Sequence, residues 1–96
     1  MEYKILQLPI EHPNTFMNAD WCLAHGGINL SEYQTVYTGV IPQSWDSVEY
    51  ALDRLYSIFN TQHPKDYTGR SLSVSDMITI QGIGTFFCDS FGWKQI

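Results

Sequence analysis

The helix-forming segment at residues 46–59 constrains the fold more than any other part of the sequence. Its apolar residues recur at helical spacing and form one stripe, made of Val48, Leu52, Leu55, Tyr56 and Phe59. Asp46 followed by Glu49 resembles a capping box, and the helix dipole favours both acids at this end. Asn60 predicts a left-handed cap, and Pro64 prevents continuation. Such a helix stabilises a fold when its apolar stripe packs against another element, here a sheet.

Short β-forming segments surround this helix. The predicted strands cover residues 3–8, 33–40, 77–81, 85–89 and 93–96. Pro9 and Pro42 end the first two, since proline cannot donate to a ladder, and Gly82 and Gly84 indicate a tight hairpin turn. Residues 15–25 predict a second, short helix. We therefore predict an α+β fold in the order β-α-β-α-β-β-(β), a small, mostly antiparallel sheet of about four or five strands with two helices packed on one face.

Composition limits the possible functions. The chain has 96 residues, of which 44% are hydrophobic and 15% aromatic, so we expect a single domain over residues 1–96 with one core. Five Lys and Arg residues against ten Asp and Glu residues give a net charge of −5. This balance argues against direct nucleic-acid binding and permits a basic protein partner. Because the sequence has neither a long apolar run nor a signal sequence, we expect a cytoplasmic protein without membrane association.

The cysteines and glycines form no complete chemical signature. Cys22 and Cys88 lie in apolar stretches, which favours buried, reduced side chains. Cys22-x-x-His25 has the spacing of half a zinc site, but a second pair is missing. Gly82-x-Gly84 lacks the lysine and the strand-to-helix context of a phosphate loop. We therefore expect no metal and no cofactor.

Acidic and aromatic residues offer two kinds of partner-binding surface. The acids of the main helix are predicted to lie on the face opposite its apolar stripe. They are Asp46, Glu49 and Asp53. Three aromatic residues adjoin polar or glycine positions in the sequence, so we expect their side chains to be partly exposed. They are Tyr37, Tyr67 and Trp93. A cluster of such aromatic residues would form a protein-binding hot spot.

The stretch from residue 59 to residue 93 is the most distinctive. It contains Phe59-Asn60, His63-Pro64-x-Asp66-Tyr67-x-Gly69, Ser71-Leu72-Ser73-Val74-Ser75-Asp76 and Asp89-Ser90-Phe91-Gly92-Trp93. This run resembles the YodL-like domain, a small family of bacterial mobile elements and phage-like regions. Tyr3-x-Ile5-x-Gln7-Leu8 and Tyr33-x-x-Val36-Tyr37-Thr38 also resemble the family, so the resemblance spans nearly the whole chain. Residues 39–50 form a longer connection than the family pattern implies.

The residue types of this motif favour a structural role. Gly69 is expected in a conformation forbidden to other residues, and Leu72 and Val74 are expected to point inward. The serine hydroxyls of the motif are expected to form hydrogen bonds with backbone groups in a tight turn. These serines are Ser71, Ser73 and Ser75. The acids of the motif, Asp66, Asp76 and Asp89, are expected to accept hydrogen bonds from backbone N–H groups. Asp89 is expected to do so in a second turn, with Gly92.

Two chemical interpretations of the same motif remain open. The first is a binding site formed by exposed side chains, namely His63, Asp66, Arg70 and Asp89. In the second, Asp76 and Asp89 meet across the hairpin as paired carboxylates, which serve acid–base catalysis or Mg²⁺ binding.

The resemblance implies a function as well. It implies an accessory module of mobile elements with no established enzymatic activity, often found in long proteins beside antirestriction-type domains. We therefore expect a non-enzymatic inhibitor, of the anti-CRISPR or antirestriction type, that presents carboxylates to the nucleic-acid-binding groove of a host defence nuclease. One alternative is a module that binds a bacterial cytoskeletal or cell-cycle regulator through aromatic residues. The other is a small enzyme or metal protein that uses His63, Asp76 and Asp89.

Overall fold

The computed structural model describes residues 1–96 and contains one five-stranded sheet with two α-helices. The elements are, in chain order, β1 (Glu2–Gln7), α1 (Ala19–Ala24), β2 (Gln34–Val40), α2 (Val48–Thr61), β3 (Met77–Ile80), β4 (Gly84–Cys88) and β5 (Trp93–Gln95), with a short 3-10 helix at Leu30–Glu32. The strands lie in the order β2-β1-β3-β4-β5, and every neighbouring pair is antiparallel. The α+β class and the predicted element order are confirmed.

The strand β1 lies in the interior of the sheet, between β2 and β3, although it comes first in the chain. Ile5 is paired with Tyr37 of β2 on one side and with Ile78 of β3 on the other. The register with β2 shifts between Ile5 and Leu6, so β2 carries one extra residue there. Both edges of β1 are therefore paired, whereas β2 and β5 form the two outer edges of the sheet.

Each face of the sheet carries its own cluster of buried side chains. In β1, Ile5 belongs to the larger cluster and Leu6 to the smaller one, and the same alternation occurs in β3 and β4. Because neighbouring residues of a strand point to opposite faces, the two clusters lie on opposite faces. The larger cluster lies under α2, which contributes Ala51, Leu52, Leu55 and Phe59. The smaller one lies under α1, which contributes Ala19 and Cys22.

The expectation that both helices pack on one face is therefore wrong. We call the two sides the α2 face and the α1 face. Apolar periodicity shows that a helix has a side to bury, but it does not specify which face of the sheet receives it.

The helix α2 begins one residue later than a capping box at Asp46 would place it. Ser47 is the N-cap, and its hydroxyl accepts a hydrogen bond of 3.1 Å from the backbone N–H of Tyr50. Glu49 lies in the first turn, where the dipole favours it. Ser47 therefore takes the N-cap role that the sequence pattern assigns to Asp46.

The helix α2 also continues past its predicted end. Asn60 lies inside it rather than in a left-handed cap, and Gln62 is the C-cap. The Nδ2 group of Asn60 donates a 3.0 Å hydrogen bond to the carbonyl of Leu72. This asparagine therefore holds the loop after the helix against the helix itself.

The helix α1 is shorter than the predicted residues 15–25. Phe16 has a positive φ of 71°, which interrupts a helix, and Asn18 then caps α1 by accepting from the N–H of Trp21 at 2.9 Å. At the other end Gly26 has a φ of 98°, as expected for a glycine that ends a helix. Neither helix combines the length and the apolarity that crossing a bilayer requires.

Candidate functional site

A groove of about 490 Å³ lies between the N-terminal half of α2 and the β4–β5 end of the sheet. Its lining combines two carboxylates with apolar and aromatic side chains. The lining residues are Val48, Glu49, Leu52, Asp53, Ile83, Phe86, Gly92, Trp93 and Gln95. We call this surface the α2–β5 groove.

The acids of the groove come from one side of α2. Glu49 and Asp53 are four residues apart, so they lie one above the other, on the flank that faces β5. Both are exposed. They therefore border the groove at the edge of the buried stripe, whereas the sequence pattern placed them on the opposite face.

The aromatic wall of the groove comes from β5. Trp93 is paired with Cys88, and Gln95 with Phe86, which places both side chains on the α2 face. The Trp93 ring packs edge-on against Tyr56 of α2, with ring centroids 6.3 Å apart. Three of the five predicted partner-binding residues thus line one groove, and Gln95 joins them without any signal in the sequence.

The other two predicted partner-binding residues lie elsewhere. Asp46 precedes α2 and lines a neighbouring cleft with Trp45 and Ser47. Tyr67 is only 5% exposed and belongs to the core cluster of the α2 face. The expectation that Tyr67 is an exposed hot-spot residue is therefore wrong.

Tyr67 is the centre of an aromatic cluster. Its ring lies edge-on to Phe59 and Tyr37, at centroid distances of 4.8 and 5.8 Å, and 5.6 Å from the ring of His63. Its hydroxyl donates a short hydrogen bond to the carbonyl of Arg70. Burial raises the pKa of Tyr67 to about 12, so the hydroxyl keeps its proton.

Gly69 is required by this cluster rather than by its own backbone conformation. The φ angle of Gly69 is not positive, contrary to expectation. A Cβ atom at this position would lie 2.5 Å from the hydroxyl oxygen of Tyr67 and 2.7 Å from the adjoining ring carbon. Gly69 therefore leaves the space into which the phenol fits.

Asp76 organises the serine-rich part of the motif from a buried position. It is 1% exposed, and its Oδ2 atom accepts hydrogen bonds from Gln7 Nε2 at 3.1 Å and from the Ser73 N–H at 2.9 Å. The Arg70 guanidinium lies 3.8 Å from Oδ1. Burial raises the pKa of Asp76 to about 6 against the lowering effect of these three partners. The capping role expected for Asp76 is confirmed. The predictions from sequence do not include the role of Gln7 as a hydrogen-bond partner of Asp76, although a glutamine at the end of an apolar strand is a signal for such a role.

Ser75 adopts a backbone conformation that L-residues rarely take. It is fully buried with a φ of 84°. Its hydroxyl accepts a 2.9 Å hydrogen bond from the Phe16 N–H, and its carbonyl accepts one of 2.6 Å from the Tyr33 hydroxyl. The left-handed residue of this turn is thus a serine held by contacts with distant parts of the chain.

The remaining members of the motif show how far the structural interpretation holds. The Ser73 hydroxyl is buried and makes no hydrogen bond, and Ser71 is exposed, so among the serines only Ser75 satisfies a backbone group through its hydroxyl. Leu72 is buried as expected, whereas Val74 is only half-buried. Asp66 accepts a hydrogen bond of 3.2 Å from the Tyr37 hydroxyl and not from a backbone group, which corrects its predicted role.

Asp89 holds the β4–β5 turn. Its Oδ1 atom accepts from the N–H groups of Ser90 at 2.9 Å and Ala19 at 3.1 Å, and its own N–H donates to the Gly92 carbonyl at 3.0 Å. The predicted capping role of Asp89 and the predicted turn with Gly92 are confirmed. Asp89 also lines a cleft on the α1 side with Asp20 and Phe91.

The structure does not gather the predicted chemical residues into one site. Asp76 is buried and bonded to Gln7, while Asp89 is bonded to the start of α1, so each carboxylate has its own partners. His63 is exposed, and its Nδ1 atom lies 3.0 Å from the Pro64 carbonyl. Neither His63 nor Asp76 lines the cleft at Asp89. Arg70 serves the buried cluster, where it approaches Asp76 and donates to the Leu8 carbonyl at 3.0 Å.

The comparisons with known proteins support the resemblance seen in the motif. The family model of the YodL-like domain matches residues 2–96. This chain belongs to the YodL-like domain family. No curated protein and no solved structure matches it. The match covers the buried cluster around Asp76, the β4–β5 turn and the α2–β5 groove of this YodL-like domain together.

The cysteines of the YodL-like domain are buried and unpaired with each other. Burial, together with the nearby carboxylates of Asp76 and Asp89, raises the pKa of Cys88 to about 11. Burial likewise raises the pKa of Cys22. Cys22 contacts the carbonyls of the preceding loop, whereas His25 is exposed and stacks on Trp21 with ring centroids 3.8 Å apart. No three His, Cys, Asp or Glu side chains converge as a metal site requires.

Proposed function

We propose that this YodL-like domain is a non-enzymatic module that binds a basic segment of a protein partner in the α2–β5 groove. The observation that carries the proposal is that Glu49, Asp53 and Trp93 line one groove. Carboxylates form charge-assisted hydrogen bonds with guanidinium and ammonium groups, and an indole face attracts the same cations. The apolar floor, which includes Leu52 and Phe86, would receive the aliphatic part of an Arg or Lys side chain.

The charge of the whole chain supports a basic partner. A net charge of −5 raises the association rate with a positively charged surface and lowers it with nucleic acid. The cation of α2, Arg54, does not line the groove but lies over the Trp45 ring, 5.7 Å from its centroid. The carboxylates of the groove therefore have no neutralising partner from this helix.

For the identity of the partner we propose a cytoplasmic defence nuclease of the CRISPR or restriction type. The support is the mobile-element setting that the resemblance implies, together with the chemistry of such targets. A nuclease holds DNA or RNA in a channel lined with Lys and Arg, and carboxylates can occupy the positions of phosphates there. The domain would then inhibit stoichiometrically, by covering the channel.

The test is DNA cleavage by purified CRISPR effector and restriction nucleases, with and without the domain. We expect inhibition that weakens as salt rises, since both surfaces are charged. The double variant Glu49→Lys with Asp53→Lys should raise the inhibitory concentration about tenfold or more. The matched control is Glu2→Lys with Glu11→Lys, two exposed acids outside the groove. Each double variant moves the net charge from −5 to −1, because two reversals add four charges.

Three results decide between the interpretations. Loss of inhibition in the groove variant alone supports the groove, and equal loss in both variants shows that only the total charge acts. If the wild-type domain inhibits none of the nucleases, the proposed partner is wrong.

The packing of Trp93 on Tyr56 favours a second candidate, a bacterial regulator bound mainly by aromatic contacts. Both side chains are partly exposed, as a hot spot requires. For such a partner, Trp93→Ala should abolish binding while the charge reversals change the affinity by less than about twofold.

A further inference from the structure

Phe91 is the most exposed large hydrophobic side chain of the protein. It is 97% exposed at the tip of the β4–β5 turn, whereas the next most exposed, Val40, reaches 74%. A ring so exposed contributes almost nothing to the core, and the backbone of this turn depends on Asp89 and Gly92 rather than on Phe91. The fold therefore does not account for a phenylalanine at this position.

The turn presents the ring from a fixed backbone. Asp89 bonds to both sides of the turn and to the start of α1 through Ala19, as described above. Gly92 has a φ of 76°, and the strands on either side pair through Cys88 and Trp93. A partner that binds Phe91 would have little backbone entropy to remove, which is the condition under which an exposed aromatic ring binds tightly.

Two acidic side chains line the cleft beside the ring. The cleft beside Phe91 is lined by Asn18, Asp20, Asp89 and Ser90 and has a volume of about 250 Å³. Asp20 is exposed and comes from the first turn of α1, while Asp89 comes from the turn itself. An aromatic ring beside two carboxylates is complementary to an apolar pocket with a basic rim.

We propose that Phe91 is an anchor residue that inserts into an apolar pocket, rimmed by Lys or Arg, on the protein partner. The inference rests on the proposed function, because the same turn places Gly92 and Trp93 in the α2–β5 groove. The partner would surround the β4–β5 turn, with basic side chains in the groove on the α2 face and the Phe91 ring in its pocket.

The test is site-specific photocross-linking in bacteria that carry CRISPR and restriction systems. The photoreactive residue is introduced as Phe91→benzoylphenylalanine, Glu49→benzoylphenylalanine and, as an exposed control outside both surfaces, Ile10→benzoylphenylalanine. We expect one protein to cross-link at positions 91 and 49 but not at position 10. Mass spectrometry should map the cross-link of position 91 to an apolar segment with neighbouring Lys or Arg. The purified partner should then bind Phe91→Ala at least about tenfold more weakly than wild type and Ile10→Ala within about twofold.

The outcomes separate this inference from the proposed function. Cross-linking at position 49 without position 91, or an unchanged affinity of Phe91→Ala, overturns the anchor and leaves the groove. Cross-linking at position 91 alone supports the anchor and overturns the groove. Cross-linking at neither position overturns both, and a cross-link to a second copy of this chain overturns the assignment of a basic-rimmed partner.

Discussion

The side chain of Gln7 donates a 3.1 Å hydrogen bond to the Asp76 carboxylate, although 69 residues separate them. The same Nε2 group also donates to the Arg70 carbonyl at 3.0 Å, and the Oε1 atom accepts from the Arg70 N–H at 3.2 Å. One glutamine at the end of β1 thus satisfies polar groups from two parts of the motif. This arrangement ties the loop between α2 and β3 to the end of β1, an interior strand of the sheet.

The raised pKa of Asp76 predicts a pH dependence of stability. The unfolded chain releases this proton near its ordinary value of 3.8, whereas the folded protein holds it to about 6. Between about pH 4 and pH 6 the native state binds more protons, so the contribution of Asp76 to the free energy of unfolding falls as pH rises. The loss is on the order of 3 kcal/mol and is complete above about pH 6.

Urea unfolding of the wild type and of Asp76→Asn at several pH values measures this contribution. The asparagine keeps an oxygen for the Ser73 N–H but does not titrate in this range, so the stability of the variant relative to wild type should improve from pH 4 to pH 7. Parallel pH profiles for the two proteins would show that Asp76 has no raised pKa.

Gly69→Ala should destabilise the fold by about 1–3 kcal/mol, because the new methyl group would overlap the Tyr67 phenol. The phenol cannot move away without leaving its hydrogen bond to the Arg70 carbonyl. Thermal melting of the variant measures the effect, with Thr68→Ala at the neighbouring exposed position as control. A melting temperature equal to that of the control would contradict the close packing.

At position 75, glycine should give a more stable protein than alanine, which is the reverse of their usual order of stability. Both Ser75→Ala and Ser75→Gly lose the hydrogen bond from the Phe16 N–H, which costs about 1–3 kcal/mol. Only alanine keeps the steric cost of the left-handed conformation, about 1 kcal/mol. Denaturant unfolding should therefore show Ser75→Gly to be the more stable of the two. The opposite order would mean that Ser75 is not held at positive φ.

Tyr67→Ala should unfold the protein rather than affect binding alone. Truncating a buried aromatic ring costs about 3–5 kcal/mol, and this ring contacts both Phe59 and Tyr37. Tyr67→Phe keeps the ring and loses only the bond to the Arg70 carbonyl, a cost of about 1–2 kcal/mol. Circular dichroism melting distinguishes them, and a stable, folded Tyr67→Ala variant would restore the exposed hot-spot interpretation.

Local sequence patterns predict the helices and strands. They do not predict contacts between residues that are distant in sequence. The stripe of α2 and the alternating strands specify which side chains are buried, and this is enough for an α+β fold. The pattern cannot show that Ala19 and Cys22 of α1 cover the face opposite α2, since either face would bury them equally well. The same limit applies to Tyr67, because polar neighbours in sequence do not reveal the Phe59 ring beside it in space.

Parts of the candidate site followed from sequence for a physical reason. Spacing alone puts Glu49 and Asp53 on one flank of a helix, and the sequence predicts a strand at Trp93. Their meeting in one groove depends on the sheet order, which brings β5 beside that flank. Small polar residues predict the turn at Ser75. Its positive φ occurs together with hydrogen bonds to Phe16 and Tyr33, which are distant in sequence, so it leaves no local signal.

The interior place of β1, between β2 and β3, has a consequence for biosynthesis. As the chain leaves the ribosome, β1 can pair only with β2, and a two-stranded ribbon without further support is marginal in water. The second edge of β1 is completed by β3, whose first residue is Met77. Folding therefore waits until most of the chain has been synthesised. The pairings of β1 with β2 and β3 join residues that are distant in sequence, which slows the rate of folding. Nascent chains that end before β3 expose the apolar residues of β1 and should depend on chaperones.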